Sequence, residues 1–261
     1  MKNKLLAVEA SIIAILLLST GILLPVESSK VTKEKLQEVK CTVFDPIRGI
    51  KVLRAKLTTS QIEKLREALE QVRESGFGDK QIDELESLMK KYKLLPQNTD
   101  LNKLFKEPFK EYYDLTIAEL KERLMERYPF LSTILNKKFS EIKSAGISED
   151  MKVRDVVSVM AGKGQQIGGP VFNIICALWI DGLGFAFPFP PLSPIKLFIV
   201  GNAGGLAGPA KATMATWGLL GPQGIYAMEI FFIVIGFVGI SLVIEEIWIV
   251  GGALVAIGAG V

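Results

Sequence analysis

Histidine is absent from the 261 residues, and only two are cysteine, Cys41 and Cys176. The first absence removes His-based catalytic triads, imidazole metal ligands and a histidine pH switch. The second leaves too few thiols for a cysteine-only zinc or iron–sulfur site in one chain. Charge is also scarce, but only locally. From 171 to 261 the charged side chains are Asp181, Lys196, Lys211, Glu229, Glu245 and Glu246 and no others. About a third of the residues from 27 to 170 are charged, against roughly 25% in an ordinary soluble domain. Two regions that differ so far in charge are built for different surroundings. Lys, Arg, Asp and Glu interleave through the charged region, with no basic patch set among aromatics, so no nucleic-acid partner is expected.

What is present begins with an apolar run. Lys2 and Lys4 precede Leu5–Leu24, broken by a single charge, Glu9. Twenty residues at about 1.5 Å each span about 30 Å, the thickness of a bilayer core. Basic residues ahead of such a run favour export of the chain beyond it. Residues 1–28 therefore read as a signal peptide or membrane anchor touching lipid through residues 5–24. Val26 and Ser28 fit small-residue cleavage positions, Pro25 and Glu27 fit them poorly, and both outcomes stay open.

Residues 29–161 read as a charged helical domain. Ser60 with Glu63, and Thr116 with Glu119, have the spacing of capping boxes, and Asp79, Asp100 and Ser148 stand where further helices start. Behind them apolar residues recur every three or four positions: Ile62, Leu65, Leu69, Val72; Ile82, Leu85, Leu88; Leu120, Leu124; Val153, Val156, Met160. Gly76, Pro96 and Pro129 punctuate the pattern. Short helices with short links predict a small orthogonal bundle. Ahead of it, residues 48–58 partly alternate as a strand does, after a turn at 44–49.

The Gly162–Gly169 stretch lacks the phosphate-loop spacing and reads as a linker over 162–170. Residues 171–261 then hold 15 of the 24 glycines. From Ile225 onward Ile and Val far outnumber Leu, a bias toward strands. Gly182–Phe189 alternates small and large residues, and turn signals recur every 10–15 residues from Pro190 to Pro222. The fold expected is α+β: an N-terminal hydrophobic helix, a small helical bundle, then an apolar antiparallel β-meander. The alternative is a mostly α chain with C-terminal membrane helices, Gly236, Gly239, Gly251 and Gly252 then serving close helix contact.

The Cys41-x-x-Phe44 segment, Gly182–Phe187, Trp217–Gly224 and Gly236–Gly239, in this layout, resemble uncharacterised archaeal exported proteins. The resemblance implies an exported protein and carries no activity, cofactor or site.

Few residues invite chemistry. Cys41 and Cys176 are candidates for one disulfide in an oxidising exterior, with a buried thiol at Cys176 as the alternative. Asp181, Glu229 and Glu245, with Glu246, are carboxylates in apolar surroundings, where ionisation is disfavoured unless paired. They suit a cation or proton relay, or more simply a hairpin turn at Glu245–Glu246 and a strand end at Asp181. No motif names a reaction or a cofactor. The first functional expectation is a non-catalytic cell-envelope protein that tethers or assembles, with 171–261 engaging a copy of itself or a partner protein. A polytopic membrane protein handling an ion through the tail acids is the second. An enzyme, which without histidine would rely on carboxylates, is the third.

Overall fold

The computed structural model describes residues 35–182, 195–201, 212–227 and 229–260, with backbone alone for 195–201 and Glu229. The N-terminal helix expected over 1–28 and most of the Gly182–Phe189 alternation lie outside the described residues.

The first elements are strands. Val39, Cys41 and Val43 alternate as buried positions along β1 (Gln37–Asp45), which pairs antiparallel with β2 (Gly49–Leu57). The turn between them is the one expected. Asp45 Oδ1 accepts from the backbone N–H of Ile47 at 2.8 Å and of Arg48 at 3.0 Å, and Gly49 takes the φ of 77° that closes the hairpin.

Helices come next: α1 (Thr59–Glu74), α2 (Asp79–Lys91), α3 (Leu101–Lys106), α4 (Lys110–Tyr113), α5 (Ile117–Arg127), α6 (Ser132–Ser144) and α7 (Val153–Ala161). The Thr116–Glu119 box caps α5, and Asp100 caps α3 through the Lys103 N–H. The first box sits two residues earlier than expected. Thr58, extended at φ −76°, caps α1, and Gln61 rather than Glu63 reaches back to its N–H at 2.9 Å. Gly78, not Asp79, is the N-cap of α2, and Lys152, not Ser148, that of α7.

The helices do not form a free-standing bundle, and this corrects the expectation. α1–α3 bury Leu65, Leu69, Leu85, Met89 and Leu101 in one cluster with Val39, Trp179, Ile240, Leu242 and Trp248 of the sheet. α5–α7 bury Leu120, Leu124, Leu135, Phe139, Val153 and Val156 in a second, with Phe172, Ile174, Val238 and Leu254. Each fully buried side chain of this kind stabilises by about 1.5–3 kcal/mol, so both helical groups are held mainly by the sheet they cover. A third cluster contains no helix residue, and among its members are Leu178, Ile180, Met214, Phe232, Val234 and Ile249.

The remaining strands are β3 (Gln166–Ile167), β4 (Val171–Gly182), β5 (Ile195–Gly201), β6 (Ala212–Gly218), β7 (Gly221–Ala227), β8 (Glu229–Ile235), β9 (Val238–Val243) and β10 (Ile247–Gly260). Their order is β2-β1-β9-β10-β4-β6-β7-β3, with β8 also on β10 and β5 on β8. Pairing is antiparallel except for β3 on β7. This is not a meander, because the 14-residue β10 is the organiser. β4 lies along one side of it, and β8 and β9 share the other in a single register, Ile230 opposite Gly260 and Val243 opposite Ile247. Pairing lapses only at Gly236–Phe237, where Gly236 has φ 64°. There the sheet divides: β9 continues into β1, β8 into β5. The β8 arm touches β6 and β7, which encloses the third cluster.

Two other expectations are corrected. Residues 229–260 are strands, so the C-terminal membrane helices of the alternative reading are not there, and no helix among the described residues is long and apolar enough to cross a membrane. Leu36–Val261 form one compact unit. The boundary at 162–170 separates two compositions, since β1 and β2 of the charged region complete the sheet of the apolar one.

Candidate functional site

α1 covers β4 and β10 but stops short of β6 and β7, and the helix-facing side of these two strands is left as an open groove of about 550 Å³. Alternation decides its lining. Thr213, Ala215 and Trp217 of β6 share the face on which their β4 partners Asp181, Trp179 and Ala177 also lie. Across β7, Thr213 pairs with Tyr226, Ala215 with Gly224 and Trp217 with Pro222. The floor is therefore small, Ala215 beside Gly224. Tyr226 and Trp217 stand at its two ends, four residues apart in register, or about 13 Å.

Polar groups line the rim. Arg73 and Glu74 reach it from the end of α1, and Gln165 and Ile167 from the far side. A Cβ at Gly224 would lie 2.8 Å from Gln165 Nε2, so the amide rests directly on the floor. Gln165 and Ile167 belong to the stretch read as a linker. The backbone there instead forms β3 in parallel with β7, and its Gly168 N–H donates to the Gly224 carbonyl at 3.0 Å.

Asp181, a candidate from the sequence, stands between Thr213 on β6 and Trp248 on β10. Burial, then Glu246 and Glu70, push its carboxyl up to about 7, while Arg73 and Arg66 pull the other way. Its Oδ1 has no hydrogen-bond partner among the described residues, and neither has Nε1 of the neighbouring Trp248. An unpaired acceptor and an unpaired donor thus occupy adjacent strands beside the groove. Arg73 is held in place by Glu70 at 2.6 Å and lies 4.8 Å above the Trp179 ring.

The other sequence candidates part company with this site. Glu245 is an exposed residue of the β9–β10 turn, ion-paired to Arg66 at 3.5 Å, and is not a buried acid. That turn is the simpler of the two readings of Glu245–Glu246. The Glu229 side chain lies outside the described residues. Cys41 and Cys176 are both buried and free, which corrects the disulfide. Register separates them by three strands and five residues, roughly 20 Å, where a bridge needs Cα atoms within about 7 Å. Burial pushes the Cys41 thiol up to about 12 and the Cys176 thiol up as well, so neither is a ready nucleophile. Among the described residues no three His, Cys, Asp or Glu gather as metal ligands.

Sequence reasoning missed Trp217, Tyr226, Gln165 and Arg73. Alternation within Ala212–Gly218 is the signal that would have found the first, because Thr213, Ala215 and Trp217 fall on one face. The groove offers two aromatic faces, an amide, a guanidinium and a carboxylate, with no nucleophile set against a base among its described lining residues. Comparison with family models, with curated proteins and with solved structures finds no match, so the groove is interpreted from its own geometry.

Proposed function

We propose that this is a non-catalytic, extracytoplasmic envelope protein that binds a short saccharide in the groove between Trp217 and Tyr226. The observation that carries the reading is the pair of aromatic ends about 13 Å apart over a floor of Ala215 and Gly224. A sugar ring has an apolar C–H face that stacks on an aromatic side chain, and hydroxyls at its edge that need donors and acceptors. Arg73 and Gln165 supply donors, and Glu74 supplies acceptors. Residues 5–24 supply the membrane contact or the export signal, and the groove supplies the tether.

Titration of the full-length protein against a panel of neutral and acidic oligosaccharides, followed by tryptophan fluorescence and calorimetry, tests the reading. Saturable binding that weakens at least tenfold in Tyr226→Ala and in Gln165→Ala is expected. No binding across the panel, or binding untouched by both variants, would overturn it. A reporter fused after residue 40 tests the compartment, where reporter activity in the cytoplasm would contradict export.

A further inference from the structure

Trp217 also lines a second space, a partly open cavity of about 200 Å³ where α2–α4 and α7 meet the sheet. Phe77, Phe105, Phe109, Tyr113 and Ile175 make most of its wall. We propose that this cavity binds a small neutral hydrocarbon group of about one-ring size, independently of the groove.

Its size suits such a ligand. An apolar cavity of about 150 Å³ is large enough for benzene or xenon and stays dry, because a water molecule needs two to four polar partners. Here the wall is largely carbon. The Cys176 thiol behaves as a small hydrophobe, and Lys106 at the rim is already ion-paired with Asp79. Phe77 meets Phe105 edge-on at 6.0 Å and lies tilted against Trp217 at 5.5 Å, so the ring planes are already fixed around the space.

The backbone is shaped to keep it open. Three non-glycine residues among those described have positive φ, and two of them, Phe77 at 67° and Ile175 at 45°, line this one cavity. A β-branched residue in that region is a true outlier, and such strain persists only where the surroundings enforce it. At Ile175 the enforcing group is Asn173, fully buried. Its Oδ1 accepts from the Ile174 N–H at 3.0 Å and the Leu220 N–H at 3.1 Å. Its Nδ2 donates to Thr216 Oγ1 at 3.1 Å and to the Gly221 carbonyl at 2.8 Å. The turn of the backbone there removes the Ile175–Leu254 pair from the β4–β10 ladder, between the Cys176–Ala253 and Ile174–Val255 pairs, with the register the same on both sides.

Val157 and Ala161, one helical turn apart on α7, edge the cavity, and Ala161 is exposed at its mouth. They give two independent tests. Toluene titrated into the full-length protein should bind saturably, raise the melting temperature by several degrees and change tryptophan fluorescence. Val157→Phe fills the space, and should remove the toluene response or weaken the affinity at least tenfold. Ala161→Trp blocks the mouth from an exposed position, should fold normally and should weaken or slow binding at least tenfold. Gln165→Ala, which alters only the groove, should leave toluene binding unchanged. A wild-type protein that shows no saturable response overturns the proposal. So does Ala161→Trp binding as wild type does, which keeps the test decisive if Val157→Phe fails to fold. Saccharide binding without toluene binding would refute this inference alone, and the reverse would refute the groove.

Discussion

The indole Nε1–H of Trp179 on β4 donates to the backbone carbonyl of Leu69 on α1, 110 residues earlier in the chain, at 3.2 Å. The same ring meets Trp248 edge-on at 5.4 Å and carries the Arg73 guanidinium above it. One side chain thereby fixes where α1 lies, and so where the groove beyond its edge begins. Trp179→Ala is expected to cost about 3–5 kcal/mol, and Trp179→Phe, which keeps most of the packing, about 1–2 kcal/mol. Urea denaturation gives both values, and a small cost for the alanine variant would remove Trp179 from this role.

Leu65 and Leu120 are fully buried on the stripes of α1 and α5. Leu65→Asp and Leu120→Asp each place a carboxylate in a helix–sheet seam, so each should lose several kcal/mol or fail to fold. Thermal unfolding followed by circular dichroism decides this, with unchanged midpoints counting against the seams.

Asp181 gives the pH dependence. Its folded pKa is raised to about 7, above the unfolded carboxylate value, so the native state holds the proton more tightly than the unfolded chain does. Ionising it in place therefore costs stability, beginning as pH rises past the unfolded value and complete above about 7. Asp181→Asn should raise the melting temperature at pH 8 relative to wild type, by an amount that vanishes near pH 4. Paired pH–melting curves test this, and a gap that widens toward acid would reverse the sign.

Replacing Asn173 by Leu would strand two N–H groups and a carbonyl in the interior. A loss of about 3 kcal/mol or more is expected, beyond an ordinary core substitution. Gly252→Ala is the steric counterpart, because its Cβ would stand 2.5 Å from the Phe109 ring and 2.6 Å from the Phe105 carbonyl. It should destabilise by about 1–3 kcal/mol, whereas wild-type stability would mean that α3 and α4 can retreat.

Thiol counting checks the cysteines. The native protein should react slowly or not at all with an alkylating reagent, and the denatured, unreduced protein should show two free thiols. None in that condition would restore the disulfide.

Helix stripes are legible in the sequence because a helix buries side chains near one another along the chain, and Leu65, Leu69 and Val72 announce their face locally. Strand character in 225–261 is legible from β-branched content, and the hairpin at Glu245–Glu246 from two charges between apolar runs. Pairing is not. Nothing in Val39–Val43 says that its partner is Ile240, because cross-strand neighbours need only be apolar and of fitting size. Gly252 shows the same limit. Its sequence context points to close helix contact, but as one membrane helix on another, whereas it is a strand glycine beneath α3 and α4. The groove stays hidden for a related reason, since it exists only where α1 fails to reach, and a helix's length says nothing about the width of the sheet beneath it.

The split of the long hairpin at Gly236 has a consequence for the chain as it is made. β1 finds its inner neighbour, β9, only about 190 residues after its own synthesis, an interval of roughly 10–40 s at ordinary translation rates. Until then the β1–β2 ribbon presents a bare edge, and the two groups of helices have no sheet to settle on. The nascent chain thus stays uncommitted until β9 and β10 have emerged to supply the middle of the sheet.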